Sequence, residues 1–220
     1  MKMNCRNIRK RAHSGFTLLE LMVTLAILTV VFGIVARGIM EMQQRNSVEL
    51  SKVDLTQETR QFMDQVTNDI HQAGFPPLRI FDPGLAYTTA STKVAAGLTN
   101  VTSTEIDFEG DVDGTGTVSV VKIQLVVPAG GCPCTIQRGT IAKPGATPLF
   151  YTEVDNVMNT NIFTAYLKDG SPVTLPASAS DLLNIKAIGI TLWVQSTIPD
   201  QKTGVFPTVT MVSQAKIDNN

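Results

Sequence analysis

The 220-residue chain is 43% hydrophobic and 17% charged, a globular balance that excludes wholesale disorder and suits one ordinary domain with an extra element, or two small domains. The net charge of −1 is unevenly placed: Lys2, Arg6, Arg9, Lys10 and Arg11 precede residue 16 with no acid among them, and without those five the 18 basic residues become 13 against 19 acidic, a net of −6. A mildly acidic body lacks the clustered cations that phosphate contacts need, so direct nucleic-acid binding is not expected.

From Phe16 to Ala36 the only charged side chain is Glu20. A helix of that length is about 30 Å long, the thickness of a bilayer core. The alternative, a buried core helix of a soluble protein, would carry a polar face, and this segment has almost none. Five cations lie before the span, whereas beyond it Arg37 and Arg45 are offset by Glu41 and Glu49. That asymmetry keeps the N-terminus in the cytoplasm and sends residues past about 40 outward. A secretory signal places its small residues after the apolar core. Here the small residue, Gly15, comes first, so a cut after it would leave the apolar segment on the mature protein.

Glu20 is an unusual residue for such a span, because an ionised carboxylate near the bilayer interior costs on the order of a few kcal/mol. A cut after Gly15 would give Phe16 a free amino group one helical turn from Glu20. In a bundle of such helices the amine of one can meet the carboxylate of the next, cancelling two charges that neither helix alone can hide. The alternative is a carboxylate near the helix end that reaches the headgroups.

Past the span, Leu55, Phe62, Val66, Ile70 and Ala73 recur at spacings of 7, 4, 4 and 3, one face of an amphipathic helix. Gly74 then suits the C′ position and Pro76-Pro77 cannot continue the helix. With no strong breaker in between, one helix is expected from about residue 16 to 73, its outer half held by packing since propensity alone rarely sustains such lengths. After Pro77 the pattern turns strand-like. Strands are expected at 104–108, 118–127, 135–138, 149–152, 162–167, 185–194 and 208–216, with turns at Asp113-Gly114 and Asp169-Gly170. Residues 82–103 and 171–181, rich in Ser, Thr, Ala and Gly, read as loops. Strands in succession with short turns point to a mainly antiparallel sheet.

The run Gly15-Phe16-Thr17-Leu18-Leu19-Glu20-Leu21-Met22, after a short basic leader and before the apolar span, resembles the class III signal of type IV prepilins. The resemblance implies cleavage between Gly15 and Phe16 by a prepilin peptidase, N-methylation of Phe16, and subunit docking through Glu20. It implies the partners too: other pilins or pseudopilins, an inner-membrane assembly platform, and membrane lipid before assembly. Major pilins usually carry Pro where this chain has Arg37, and often staple the head with two well-spaced cysteines near the C-terminus, absent here. Arg60–Phe75, the Asp-Val-Asp-Gly turn at 111–114 and the alternating run Leu182–Val194 resemble PilW-type minor pilins and J-type secretion pseudopilins, as a looser pattern.

Cys132-Pro133-Cys134 is too short for a zinc site without further ligands; a loop-rigidifying disulfide and a pair of free thiols both fit it. With Cys5 removed in the leader, the mature chain holds an even number of cysteines, which suits an oxidising compartment. Asp111, Asp113, Thr115 and Gly116 match part of a calcium loop, but the twelfth place is Lys122 and a strand follows, so a hairpin turn is the better reading. Lone Trp193, in an apolar strand, is expected in the core. No nucleophile elbow, phosphate loop or dinucleotide fingerprint is present, and neither catalysis nor a cofactor is expected.

Together these point to an α+β, type IV pilin-like fold: a long N-terminal helix, its first half membrane-embedded, packed on a mainly antiparallel sheet. The expected segments are a removed leader (1–15), an assembly half of the helix (16–40), an amphipathic half (41–74) and an extracytoplasmic β-rich head (75–220). The leading functional expectation is a minor pilin, in the bacterial inner membrane before assembly and on the pilus or cell surface afterwards. The alternatives are a pseudopilin of a type II secretion system, working in the periplasm, and a single-pass anchored binding protein that does not polymerise.

Overall fold

A computed structural model of the chain describes residues 15–77, 92–145, 147–200 and 202–219. The expected leader, apart from Gly15, and residues 82–91 of the expected 82–103 loop lie outside these residues. The chain divides into two compact units, Met1–Asn46 and Ser47–Asn220, with one helix, α1 (Leu18–His71), running from the first into the second. The fold is α+β, with the last turns of α1 packed on an antiparallel sheet.

The sheet holds β1 (Leu98–Val101), β2 (Glu105–Gly110), β3 (Ser119–Val126), β4 (Cys134–Ala142), β5 (Phe150–Val157), β6 (Phe163–Leu167), β7 (Pro172–Val173), β8 (Ile185–Gln195) and β9 (Thr208–Lys216), with a one-turn helix, α2 (Ala179–Leu182), before β8. Strands β1 to β5 form an antiparallel meander. A second group, β7-β6-β8-β9, joins it where β5 meets β8 at Val157 opposite Val194. Alternation made these strands legible. In β3, Val121, Ile123 and Leu125 are buried while Val120, Lys122 and Gln124 between them are half-buried, and in β2 Ile106 and Phe108 face the same core. The expected stripe on α1 supplies the other side: Phe62, Val66, Ile70 and Ala73 are buried and Leu55 packs at the margin. The stripe also includes Met63 and Thr59, whose hydroxyl donates to the Leu55 carbonyl (2.7 Å) and is thereby satisfied without water.

The helix ends as the sequence suggested. Gly74 sits at φ +78°, a conformation that glycine adopts without steric cost, and its N–H donates to the Glu109 carbonyl (2.8 Å). Asp111 N–H returns to the Phe75 carbonyl (2.9 Å), so the exit from α1 is stitched to the end of β2.

Three expectations need correction. Trp193 is 45% exposed, whereas Leu192 and Val194 are fully buried. It occupies the outward phase of an alternating strand, and a residue's apolarity does not set its phase. Leu98–Val101, expected as loop, is a strand: its two apolar residues were too few for a pattern, and it is made by pairing with β2, Val101 opposite Ile106. Residues 171–181, also expected as loop, hold β7 and the start of α2. Ser178 caps α2 in a capping box with Asp181, a signal that was present in the sequence as Ser-x-x-Asp.

Two ion pairs tie distant segments together. Lys143, buried, donates to Glu109 Oε2 (2.7 Å) and to the Val94 carbonyl (3.1 Å), while the Ala96 N–H donates to the same carboxylate oxygen (2.8 Å). Arg138 on β4 reaches Asp69 on α1 (2.7 Å). Burial pushes the Asp69 carboxyl up more than the Arg138 cation pulls it down. Desolvation outweighs Coulomb attraction here, so this pair fixes the helix on the sheet more than it stabilises. Asp69→Ala, which leaves a largely buried guanidinium unpaired, is expected to lower head stability by about 3 kcal/mol, whereas Asp69→Leu with Arg138→Met is expected to be near neutral. Urea unfolding of the three proteins checks both. Because the folded pKa of Asp69 lies above the unfolded one, its titration favours the folded head at pH below the unfolded value and that contribution is lost as pH rises through the folded value. Asp69→Asn should remove this slope.

Candidate assembly site

The start of α1 carries the residues singled out by the sequence. Gly15 and Phe16 precede the helix and are exposed, Phe16 at 78%, and nothing lies within 4 Å of where a Gly15 side chain would begin. Thr17 caps the helix: its Oγ1 accepts from the Glu20 N–H (3.3 Å), and its carbonyl accepts from the Leu21 N–H (3.1 Å). Sequence reasoning missed this role, although Thr17-Leu18-Leu19-Glu20 has the spacing of a capping box. Glu20 is thus fixed in the first turn, exposed, where the helix dipole favours a negative charge.

Beyond Glu20 the helix is apolar all round and unburied. Leu21, Met22, Leu25, Ile27, Phe32 and Ile34 are each more than half exposed. A surface of that extent does not persist against water; it calls for lipid or for other helices. The polar groups within it are closed off internally. Thr24 Oγ1 donates to the Leu21 carbonyl (2.9 Å) and Thr29 Oγ1 to the Ala26 carbonyl (2.8 Å), as a helix in hydrocarbon requires. α1 is long and apolar enough to cross a membrane.

Residues 10–36 match the family model of the prokaryotic N-terminal methylation motif. The chain therefore carries a prepilin-type signal on a membrane-anchoring helix, in keeping with a type IV pilin-like or pseudopilin-like assembly subunit. Such a signal implies processing by a prepilin peptidase and association with other pilins, a structural role. The match ends at residue 36 and leaves the head outside it. No curated protein and no solved structure matches the chain.

The remaining candidates sit in the head and do not converge on one site. Cys132 and Cys134 are bonded through their sulfurs, with Cα atoms 4.4 Å apart, at the entry to β4, where Cys134 is buried in the core. The 111–116 segment is a turn between β2 and β3. Asp111 accepts from the Thr115 and Gly116 N–H groups (3.0 and 2.9 Å) and Asp113 from Thr115 Oγ1 (2.9 Å). Those Thr115 hydrogen bonds hold the Asp113 carboxyl below its ordinary range. Among the described residues no group of three or more His, Cys, Asp and Glu side chains is placed to hold a metal ion.

Proposed function

We propose that the chain is a minor pilin of a type IV pilus. It inserts with its basic leader in the cytoplasm and its head outside, is cut between Gly15 and Phe16, is N-methylated on Phe16, and enters the filament through its N-terminal helix. Glu20 pairs with the Phe16 amine of a neighbouring subunit, and the head takes its place on the outside. The observation that carries this is the match of residues 10–36 to the N-terminal methylation motif, on a helix whose apolar surface is unburied. Favouring a minor over a main-shaft role are Arg37, where major pilins usually have Pro, and a sulfur pair spanning one residue instead of a long staple.

Mass spectrometry of the protein from its native membrane tests this. The expected mature N-terminus is N-methylated Phe16; an intact leader on all of the protein overturns the proposal. In Gly15→Val, a β-branched residue at the cut should leave nearly all of the protein with its leader. A Phe16 terminus on most of that variant would mean that the cut does not depend on Gly15. Deleting the gene should remove or shorten surface pili; loss of protein secretion with pili intact would assign it to a secretion pseudopilus instead.

A further inference from the structure

The first unit carries a pattern that the methylation motif does not explain. Phe16, Glu20, Val23, Ile27, Val30, Ile34, Arg37, Glu41 and Arg45 follow one another at steps of 4, 3, 4, 3, 4, 3, 4 and 4. At roughly 100° per residue these positions stay within one face of the helix, about a third of its circumference, and the steps between 16 and 37 are those of a coiled-coil seam. The middle of the stripe is β-branched, and its far end alternates in sign: Arg37, Glu41, Arg45. All three end residues are exposed. Charges four apart on a helix often pair within their own chain, yet here neither Arg37–Glu41 nor Glu41–Arg45 closes; among the described residues the ion pair formed within α1 is Lys52–Glu49.

We infer that this stripe sets the axial register between two copies of the chain: parallel helices are displaced by four residues, so that one copy's Phe16 amine, Arg37 and Glu41 face the other's Glu20, Glu41 and Arg45. Four residues are about 6 Å along the axis. At that displacement all three contacts join opposite charges. In register, like meets like at positions 37, 41 and 45. At a displacement of eight, Arg37 meets Arg45, and the amine lies beside Thr24, which carries no charge. The amine–Glu20 contact and the 37–45 alternation, separated by about four turns of apolar helix, therefore select the same displacement. The stripe fits a second copy because its sign pattern is complementary to itself when shifted. This rests on the proposed Glu20–amine docking and adds to it a register and a partner.

The test uses full-length chains carrying Cys5→Ser, co-expressed with two tags in membranes and cross-linked by mild oxidation. One chain carries Ile34→Cys and the other Gly38→Cys, four apart along the helix; an added side chain at position 38 meets nothing within 4 Å. The 34–38 product is expected to exceed the 34–34 product by about fivefold, since like-charge contacts at helix surfaces shift equilibria by modest factors. Inverting the three charges together (Arg37→Glu, Glu41→Arg, Arg45→Glu) in both chains should preserve the 34–38 product. Inverting them in one chain alone should cut it. A predominance of 34–34 and 38–38 products in the unaltered pair would overturn the register while leaving helix association intact, and so would equal 34–38 yields in the matched and mixed pairs. Cross-links from no pair would overturn the register and the docking it rests on together.

Discussion

Glu20→Ala is expected to leave insertion and processing intact and to cut incorporation into filaments by about 100-fold or more. The carboxylate lies in the first turn of α1, exposed, with apolar side chains on every side of the helix that follows. In an assembled bundle its removal would leave a neighbour's terminal amine enclosed without an anion, a loss of about 3–5 kcal/mol, and each 1.4 kcal/mol is about tenfold in an equilibrium. Insertion moves in the other direction, because deleting an acid from the span lowers the cost of placing it in lipid. The Thr17 cap survives, since it uses the Glu20 backbone N–H and not its side chain. Immunoblots of sheared filaments against membranes measure the ratio. Ordinary incorporation of Glu20→Ala would mean that the carboxylate serves only the helix start, as the alternative reading of a headgroup-reaching acid holds.

What the sequence disclosed follows from how far each interaction reaches along the chain. The apolar span, the 55–73 stripe, the Gly74 terminus and the alternating strands all depend on neighbours within a few residues, and each was legible. β9 runs over the same residues as expected, Thr208–Lys216, because its pattern is unbroken and bounded by Pro207. β4 and β5 extend further than expected, to Ala142 and Val157, because their later residues are held by pairing and not by pattern: β4 lies against β3 along its whole length, from Thr135 opposite Val126 to Ala142 opposite Ser119. The contacts that lock the head join residues far apart in sequence, Asp69 with Arg138 and Glu109 with Lys143, and no local period announces them. At the start of α1, Gly15, Phe16 and Glu20 stand out because residue types, order and the following span coincide in one short motif, within the residues that the methylation-motif model matches. The alternation Arg37, Glu41, Arg45 was visible only as charge balance until the helix placed those residues on one face with Glu20.

Phe62→Ala should separate the two halves of this molecule's work in the opposite sense. Phe62 is 2% exposed, on the face of α1 that joins Val66 and Ile70 in the core with Ile106 and Phe108. Removing a buried Phe side chain costs about 3–5 kcal/mol through lost burial and the cavity left behind. Against a total of roughly 5–15 kcal/mol for a domain, that moves the head from stably folded to partly open. Leu50, on the same helix but 61% exposed, offers the contrast: Leu50→Ala should change stability by less than about 0.5 kcal/mol. Limited proteolysis in membranes reads the difference, with rapid loss of the head in Phe62→Ala and the unaltered rate in Leu50→Ala. Processing after Gly15 should proceed in both, because residues 10–36 lie in the unit that does not contain Phe62. A Phe62→Ala head as protease-resistant as the unaltered protein would mean that the sheet does not depend on α1 for its core. The head would then fold on its sheet alone, with the buried face of α1 around Phe62 adding little to its stability.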